Sequence, residues 1–223
     1  MKKLLFWMVL IVGIVALIGS CAKKDEETAA TAAADNTTST TSTTSYISTT
    51  TTASGSITMG DDTLSGVYAS ECLTSASTIA FFKATGFWAS EVNAYGQVFV
   101  VTGSDNISIE LYAFTDTSCS NLSQSQKTVS DNVTVGSASG SNYPVTYNNQ
   151  TKALTVHTTA AETALETLYS NALDFIVGTP IELPVSGSGL RYGLWTLSGT
   201  TWYEASSSSA TPTSAGTVPH VKQ

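Results

Sequence analysis

Positive charge is scarce in this chain. Its 223 residues carry 9 Lys and Arg against 17 Asp and Glu, a formal net charge of -8. The cations of the globular part, Lys83, Lys127, Lys152 and Arg191, are scattered. Nucleic-acid binding needs Lys and Arg clustered on one face, so that class of partner is excluded. Histidine is as thin. His157 and His220 are the whole supply, 2 residues, and they form no multi-histidine metal site at a recognisable spacing. Cysteine is limited to Cys21, Cys72 and Cys119, with no C-x-x-C pair for redox work. The chain also lacks a G-x-S-x-G elbow, a P-loop and a dinucleotide glycine fingerprint. No internal repeat is found. These absences leave no set of parts for an enzyme and no motif for a cofactor.

The longest apolar run is short too. Residues 4–18 are apolar except for Gly13, and they follow a basic start at Lys2 and Lys3. A spanning helix usually wants about 20 apolar residues. A basic start, a short apolar core and small residues before a cut site are the parts of a secretory signal peptide, here 1–20. Ile18-Gly19-Ser20-Cys21 resembles the lipobox of bacterial lipoproteins. That resemblance implies a diacylglycerol on Cys21 and cleavage before it. The alternative is an uncleaved N-terminal anchor. Either way the chain is exported and held to a membrane. Stable anchoring takes more than one acyl chain, which a triacylated cysteine supplies. Ala22 follows Cys21 in place of a retention Asp, which implies the outer membrane. Loss of Lys2 and Lys3 with the signal leaves the mature chain more acidic still.

Residues 21–56 read as a disordered Ser/Thr-rich linker. Apart from Tyr46 and Ile47 they offer almost nothing to bury against the cost of ordering a chain. Residues 57–205 form one domain, and 206–223 a C-terminal tail. The local signals are mainly β. "NISIELYAF" alternates Ile107, Ile109, Leu111 and Ala113 against Ser108, Glu110, Tyr112 and Phe114, the pattern of a half-buried strand. "GQVFVVTG", "TLSGVYASE", "KALTVH" and "GLWTL" are further strands. Residues 197–200 read as a turn that pairs "GLWTL" with "TTWYE". Many short strands with turns between them point to an antiparallel barrel or sandwich.

One stretch is helical. "TTAAETALETLYSNALDFIVGTP" places Thr159 and Glu162 as a capping box. Ala161, Leu165, Leu168, Ala172 and Ile176 fall on one face, and Glu162, Glu166, Ser170 and Asp174 on the other. Gly178 and Pro180 end it. Glu162 and Glu166 are read as solvated, and His157 as a hydrogen-bond partner at the strand-to-helix turn.

These pieces together resemble the lipocalin-like lipoproteins of bacteria. "LSGVYASEC" is similar to that group's opening L-x-G-x-W, with Tyr68 in the Trp place. "LYAFTDTSC", "VHTTAAETAL" and "ATPTSAGTVPHVKQ" resemble its later segments in the same order. The resemblance implies a lipocalin-like antiparallel β-barrel with one amphipathic α-helix.

Two questions concern sites. Cys72 and Cys119 are the only cysteines after Cys21, and exported chains live where disulfides persist, so they are expected to bond to each other. The aromatics either fill the barrel or line an open mouth. In the second case Tyr68, Trp88, Phe99, Tyr112 and Trp195 are the expected contacts to a small apolar ligand. Arg191 either stacks on an aromatic or lies on the surface. The function expected is a membrane-anchored barrel that binds a small hydrophobic molecule. The alternative is a structural or protein-interaction lipoprotein of the envelope with a filled barrel.

Overall fold

A computed structural model describes residues 45–223, Ser186 excepted. The signal segment, Cys21 and residues 22–44 of the expected linker lie outside the described residues. The strands are β1 (Ile57–Met59), β2 (Asp62–Leu64), β3 (Val67–Ala69), β4 (Ala94–Val101), β5 (Ile107–Phe114), β6 (Leu122–Val135), β7 (Asn142–Val156), β8 (Pro180–Leu183), β9 (Leu190–Ser198), β10 (Thr201–Ser207) and β11 (His220–Lys222). Two helices, α1 (Ala76–Ala84) and α2 (Thr159–Leu168), interrupt them.

Strands β3, β4, β5, β6, β7, β9, β10 and β11 pair in that order, all antiparallel, and β11 returns to β3. The result is a closed, up-and-down barrel of eight strands. Closure removes the unpaired sheet edges that would otherwise template aggregation. Strand β8 pairs with the far half of β7, beyond the stretch that pairs with β9. The β9–β10 hairpin turns at Gly199, φ 60°, where the left-handed backbone favours glycine.

Both ends are covered. At one end the β1–β2 hairpin inserts Ile57, Met59 and Leu64, each at most 1% exposed, against Tyr68, Phe99, Tyr143 and Trp195. At the other, α1 and its following loop place Ile79, Phe82 and Trp88 over Tyr95 and Ala113. There α2 packs Ala161 and Leu165 on Leu154, Val156 and Phe175. The disulfide Cys72–Cys119 forms at this end, with Cα atoms 5.8 Å apart. It ties the exit of β3 to the β5–β6 loop.

Four expectations change. First, the linker does not run to Ser56: the chain is laid on the barrel from Tyr46 onward. Ile47 is buried on Gly96, where a Cβ would fall 2.2 Å from its Cγ1, and its amide donates to the Ser70 carbonyl at 3.2 Å. Second, the tail expected at 206–223 belongs to the barrel, because β10 runs to Ser207 and β11 closes the ring. Third, α2 is shorter than expected and is capped by Thr158, whose Oγ1 accepts from the Ala161 amide at 3.1 Å. Glu162 therefore misses the box position, and the helix stops at Leu168. Ser170 and Asn171 then take left-handed backbone, Phe175 turns inward and Ile176 is exposed. Fourth, α1 joins it as a second helix. Its neighbouring Phe81 and Phe82 sit without a polar stripe, so its period is faint.

The strap formed by residues 46–56 is held by a buried carboxylate. Glu110, 3% exposed on the outer wall, accepts from Thr49 Oγ1 at 2.6 Å, from Thr51 Oγ1 and from the Tyr112 hydroxyl. Lys127 Nζ donates to Thr51 Oγ1 at 2.7 Å and stands 3.9 Å from Glu110. Lys127 is largely exposed, so the ion pair adds little, and the hydroxyl bonds carry the latch. Glu110→Ala is expected to cost about 2 kcal/mol. Its signature is faster amide exchange over residues 47–54 with the barrel strands still protected. Protection of the strap equal to wild type would show that Glu110 does not hold it.

Candidate functional site

Residues directly opposite on paired strands share a face. Phe99 pairs with Tyr68 and Ile109, Ile109 with Thr128, and Thr128 with Lys152. Across the ring Tyr147 pairs with Arg191, Trp195 with Glu204, and Trp202 with His220. All these side chains therefore stand on the inner wall, and they divide by chemistry along the barrel axis.

The end under the β1–β2 hairpin is aromatic and dry. Trp202 meets Phe99 at 4.5 Å, Trp195 at 4.9 Å and Tyr68 at 5.6 Å between ring centroids, mostly edge to face. None of the four is more than 2% exposed, so almost none of their surface borders a space as wide as a water molecule. The indole nitrogens of Trp195 and Trp202 have no acceptor. Close packing here outweighs two unsatisfied donors.

Halfway along, the inner wall turns polar. Gln97, Gln126, Lys152, Arg191, Glu204 and Ser206 project inward, and each keeps part of its surface accessible. Surface retained by Gln97, Gln126 and Glu204 points to space within the barrel, and Arg191 and Ser206 stand beside it near the ends of β9 and β10. Tyr147 donates to Glu204 Oε1 at 3.5 Å, and Ser130 Oγ donates to Asn149 Oδ1 at 2.8 Å. Lys152 Nζ sits 6.0 Å from the centre of the Phe87 ring.

The electrostatics follow from depth. Burial pushes the Glu204 carboxyl above the ordinary carboxylate range, while the Ser206 hydroxyl, the Arg191 guanidinium and the Tyr147 hydroxyl pull it back. Burial, then the Glu204 charge, drives the Tyr147 phenol up. Burial, then the Arg191 charge, lowers the Lys152 ammonium. These directions describe charges taken out of bulk water within reach of one another.

The residues expected to contact a ligand are not brought together. Tyr68, Phe99 and Trp195 belong to the packed aromatic end. Trp88 lies at the opposite end beneath α1, 4.4 Å from Phe82 and 5.4 Å from Tyr95. Tyr112 faces outward beneath the strap, because alternation in β5 sends Leu111 and Ala113 inward. Arg191, expected on an aromatic or on the surface, takes neither place. His157 is as expected, half-buried with Nε2 3.0 Å from Ser125 Oγ. A cleft of about 180 Å³ lies on the outer wall between Tyr46, Ile47, Tyr112 and Phe114. It is smaller than the roughly 300 Å³ at which small-molecule sites begin. Among the described residues no three His, Cys, Asp or Glu cluster as a metal site would need.

Sequence reasoning passed over Gln126, Tyr147, Lys152 and Glu204. One signal was available. "LSQSQKTVS" in β6 lacks apolar alternation, yet it pairs with neighbours on both sides. A central strand with Gln124, Gln126, Thr128 and Ser130 on its inner face implies a polar interior.

His220 offers a pH test of this interior. It is 1% exposed; Nδ1 lies 3.3 Å from the Trp202 carbonyl oxygen and Nε2 3.2 Å from the Gln97 amide oxygen, with the Phe99 ring against it. Burial holds its pKa down at about 4. An unfolded histidine titrates near 6.5. Between those values the unfolded chain binds a proton that the native chain refuses. Stability is therefore full above pH 6.5 and falls by about 3 kcal/mol as the pH drops toward 4. Glu204 acts with the opposite sign. Its raised pKa favours the native state on the acid side and costs stability as the pH rises through the folded value. Urea titrations across this range are expected to show a shallower acid limb in His220→Gln and a steeper one in Glu204→Gln. Identical limbs in all three proteins would overturn the assignment.

No family model matches the chain, and no curated protein matches it in sequence.

Proposed function

We propose that this chain is a lipid-anchored envelope protein whose barrel carries a small molecule in its polar interior. The observation that supports it most is the inner wall at Lys152, Arg191 and Glu204, where charged groups face retained space inside a closed barrel. Side chains of this kind are costly in a scaffold and useful in a binder. The barrel architecture is compatible with a lipocalin-like carrier. The ligand contacts move from the aromatics to the polar mid-section, so a purely apolar ligand is not the preferred occupant. In this reading the protein is a binder and not an enzyme.

The anchor is Cys21, and the outer membrane is the proposed destination. Cys21→Ser is expected to leave an unprocessed precursor that no longer incorporates palmitate. Normal cutting and labelling of that variant would remove the anchor from the proposal. For the binding role, protein purified from its own membrane is expected to show an added small mass in native mass spectrometry. A bare protein mass in every preparation, with a melting temperature unmoved by a whole-cell metabolite extract, would favour the second reading. That reading is a structural or protein-interaction lipoprotein, and the dry aromatic end beneath the β1–β2 hairpin is the observation in its favour.

A further inference from the structure

We infer that the interior chamber takes a small organic anion, its carboxylate, phosphate or sulfonate group clasped between Lys152 and Arg191. The inference rests on the carrier reading and narrows it to a ligand class. Two cations and one carboxylate project into the chamber, so its inner wall is net positive inside a chain whose formal charge is -8. Neither cation has an ion pair or a side-chain hydrogen bond among the described residues. Lys127 on the outer wall shows the contrast, since it finds both Thr51 and Glu110.

A charge withdrawn from bulk water is costly unless an opposite charge meets it. Lys152 and Arg191 are held near enough for the guanidinium to depress the ammonium. Glu204 stands beyond 4.0 Å of both, shares a hydrogen bond with Tyr147 and is biased toward its neutral form. It makes no ion pair with either cation among the described residues and attracts Arg191 only at longer range. An incoming anion would satisfy both cations at once, with Arg191 able to offer a two-pronged contact. The inner wall also has an apolar part that stays partly accessible, with Phe87 beside the ammonium and Leu111 on the inner face opposite Gln126. The occupant is therefore an anion with an apolar body. A free inorganic anion lacks that second half.

The test uses three probes of one shape and different charge: naphthalene-2-sulfonate, 2-naphthylmethanol and 2-naphthylmethylammonium. Each is titrated calorimetrically into the soluble protein starting at residue 45. The sulfonate is expected to bind at least about tenfold more tightly than the alcohol, and the ammonium to show no binding. Lys152→Met and Arg191→Met should each bring the sulfonate down to the alcohol's affinity. Inorganic sulfate at the same concentrations should bind far more weakly than naphthalene-2-sulfonate. Equal affinity for sulfonate and alcohol, unchanged by Lys152→Met, would overturn the anion assignment while leaving the carrier reading in place. No saturable binding of any probe would overturn both. If a substitution unfolds the barrel, the ordering of the three probes on the wild-type protein still decides.

Discussion

Trp202→Ala is expected to remove about 4 kcal/mol of stability, a large share of the roughly 5–15 kcal/mol that holds a domain folded. Trp202 is 0% exposed and is the hub of the dry end, touching Tyr68, Phe99, Trp195 and His220. Truncating a buried Trp to Ala typically costs about 3–5 kcal/mol through lost transfer energy and the cavity left behind. The site collapses poorly, because its neighbours sit on four strands of a closed ring and beneath an inserted hairpin. One small gain offsets the loss, since the indole N–H has no partner and its removal ends that cost. Denaturant unfolding followed by circular dichroism measures the change. A loss under about 1 kcal/mol would show that the aromatic cluster is looser than its contacts indicate.

The second large effect concerns the disulfide. Cys72 and Cys119 are 47 residues apart, and the crosslink closes a loop containing α1, β4 and β5. Constraining a loop of that size in the unfolded chain is worth about 4 kcal/mol on the chain-entropy account. Cys72→Ser with Cys119→Ser should therefore lower the melting temperature by roughly 10 °C for a domain of this size. Alkylation without reductant should leave the wild-type mass unchanged. Two alkylated thiols on freshly purified protein, or a double variant that melts with the wild type, would overturn the claim. The loss should be greatest at the α1 end, because the bond lies beside the Leu73–Tyr95 bridge there.

How much of this was legible in the sequence depended on what each strand packs against. β5 alternates because its inner face meets Phe99 and Trp88 clusters, and its period could be read directly. The β9–β10 turn was legible through Gly199, since backbone conformation leaves a local mark. β6 was not, because its inner face is polar, and a polar face erases the contrast on which periodicity depends. The site was hidden for the same reason. A reading that equated the interior with apolar side chains placed the ligand among the aromatics. The aromatics pack at the two ends, and Lys152 and Glu204 lie on the polar stretch between them. Strap and closing strand escaped for a further reason. Residues 46–56 carry one deeply buried apolar anchor, Ile47, and β11 spans His220–Lys222, so tertiary pairing sets both where local preference is silent.

The strap also determines how the barrel bears mechanical load. Tyr46 bridges to Glu71, next to Cys72, and the chain then runs down the outer wall until Ser54 donates to Val101 at 2.9 Å. A pull on the N-terminal side of Ser45 thus arrives first at a covalently stapled point. The bonds it meets in turn are those of Ile47, Thr49, Thr51 and Ser54, none of which belongs to the ring of eight strands. Under tension the strap is expected to peel one contact at a time, freeing residues 46–56 while the ring stays shut. Closure between β3 and β11 does not depend on it. A strap that yields in this order would absorb the pull before the ring of eight strands felt it.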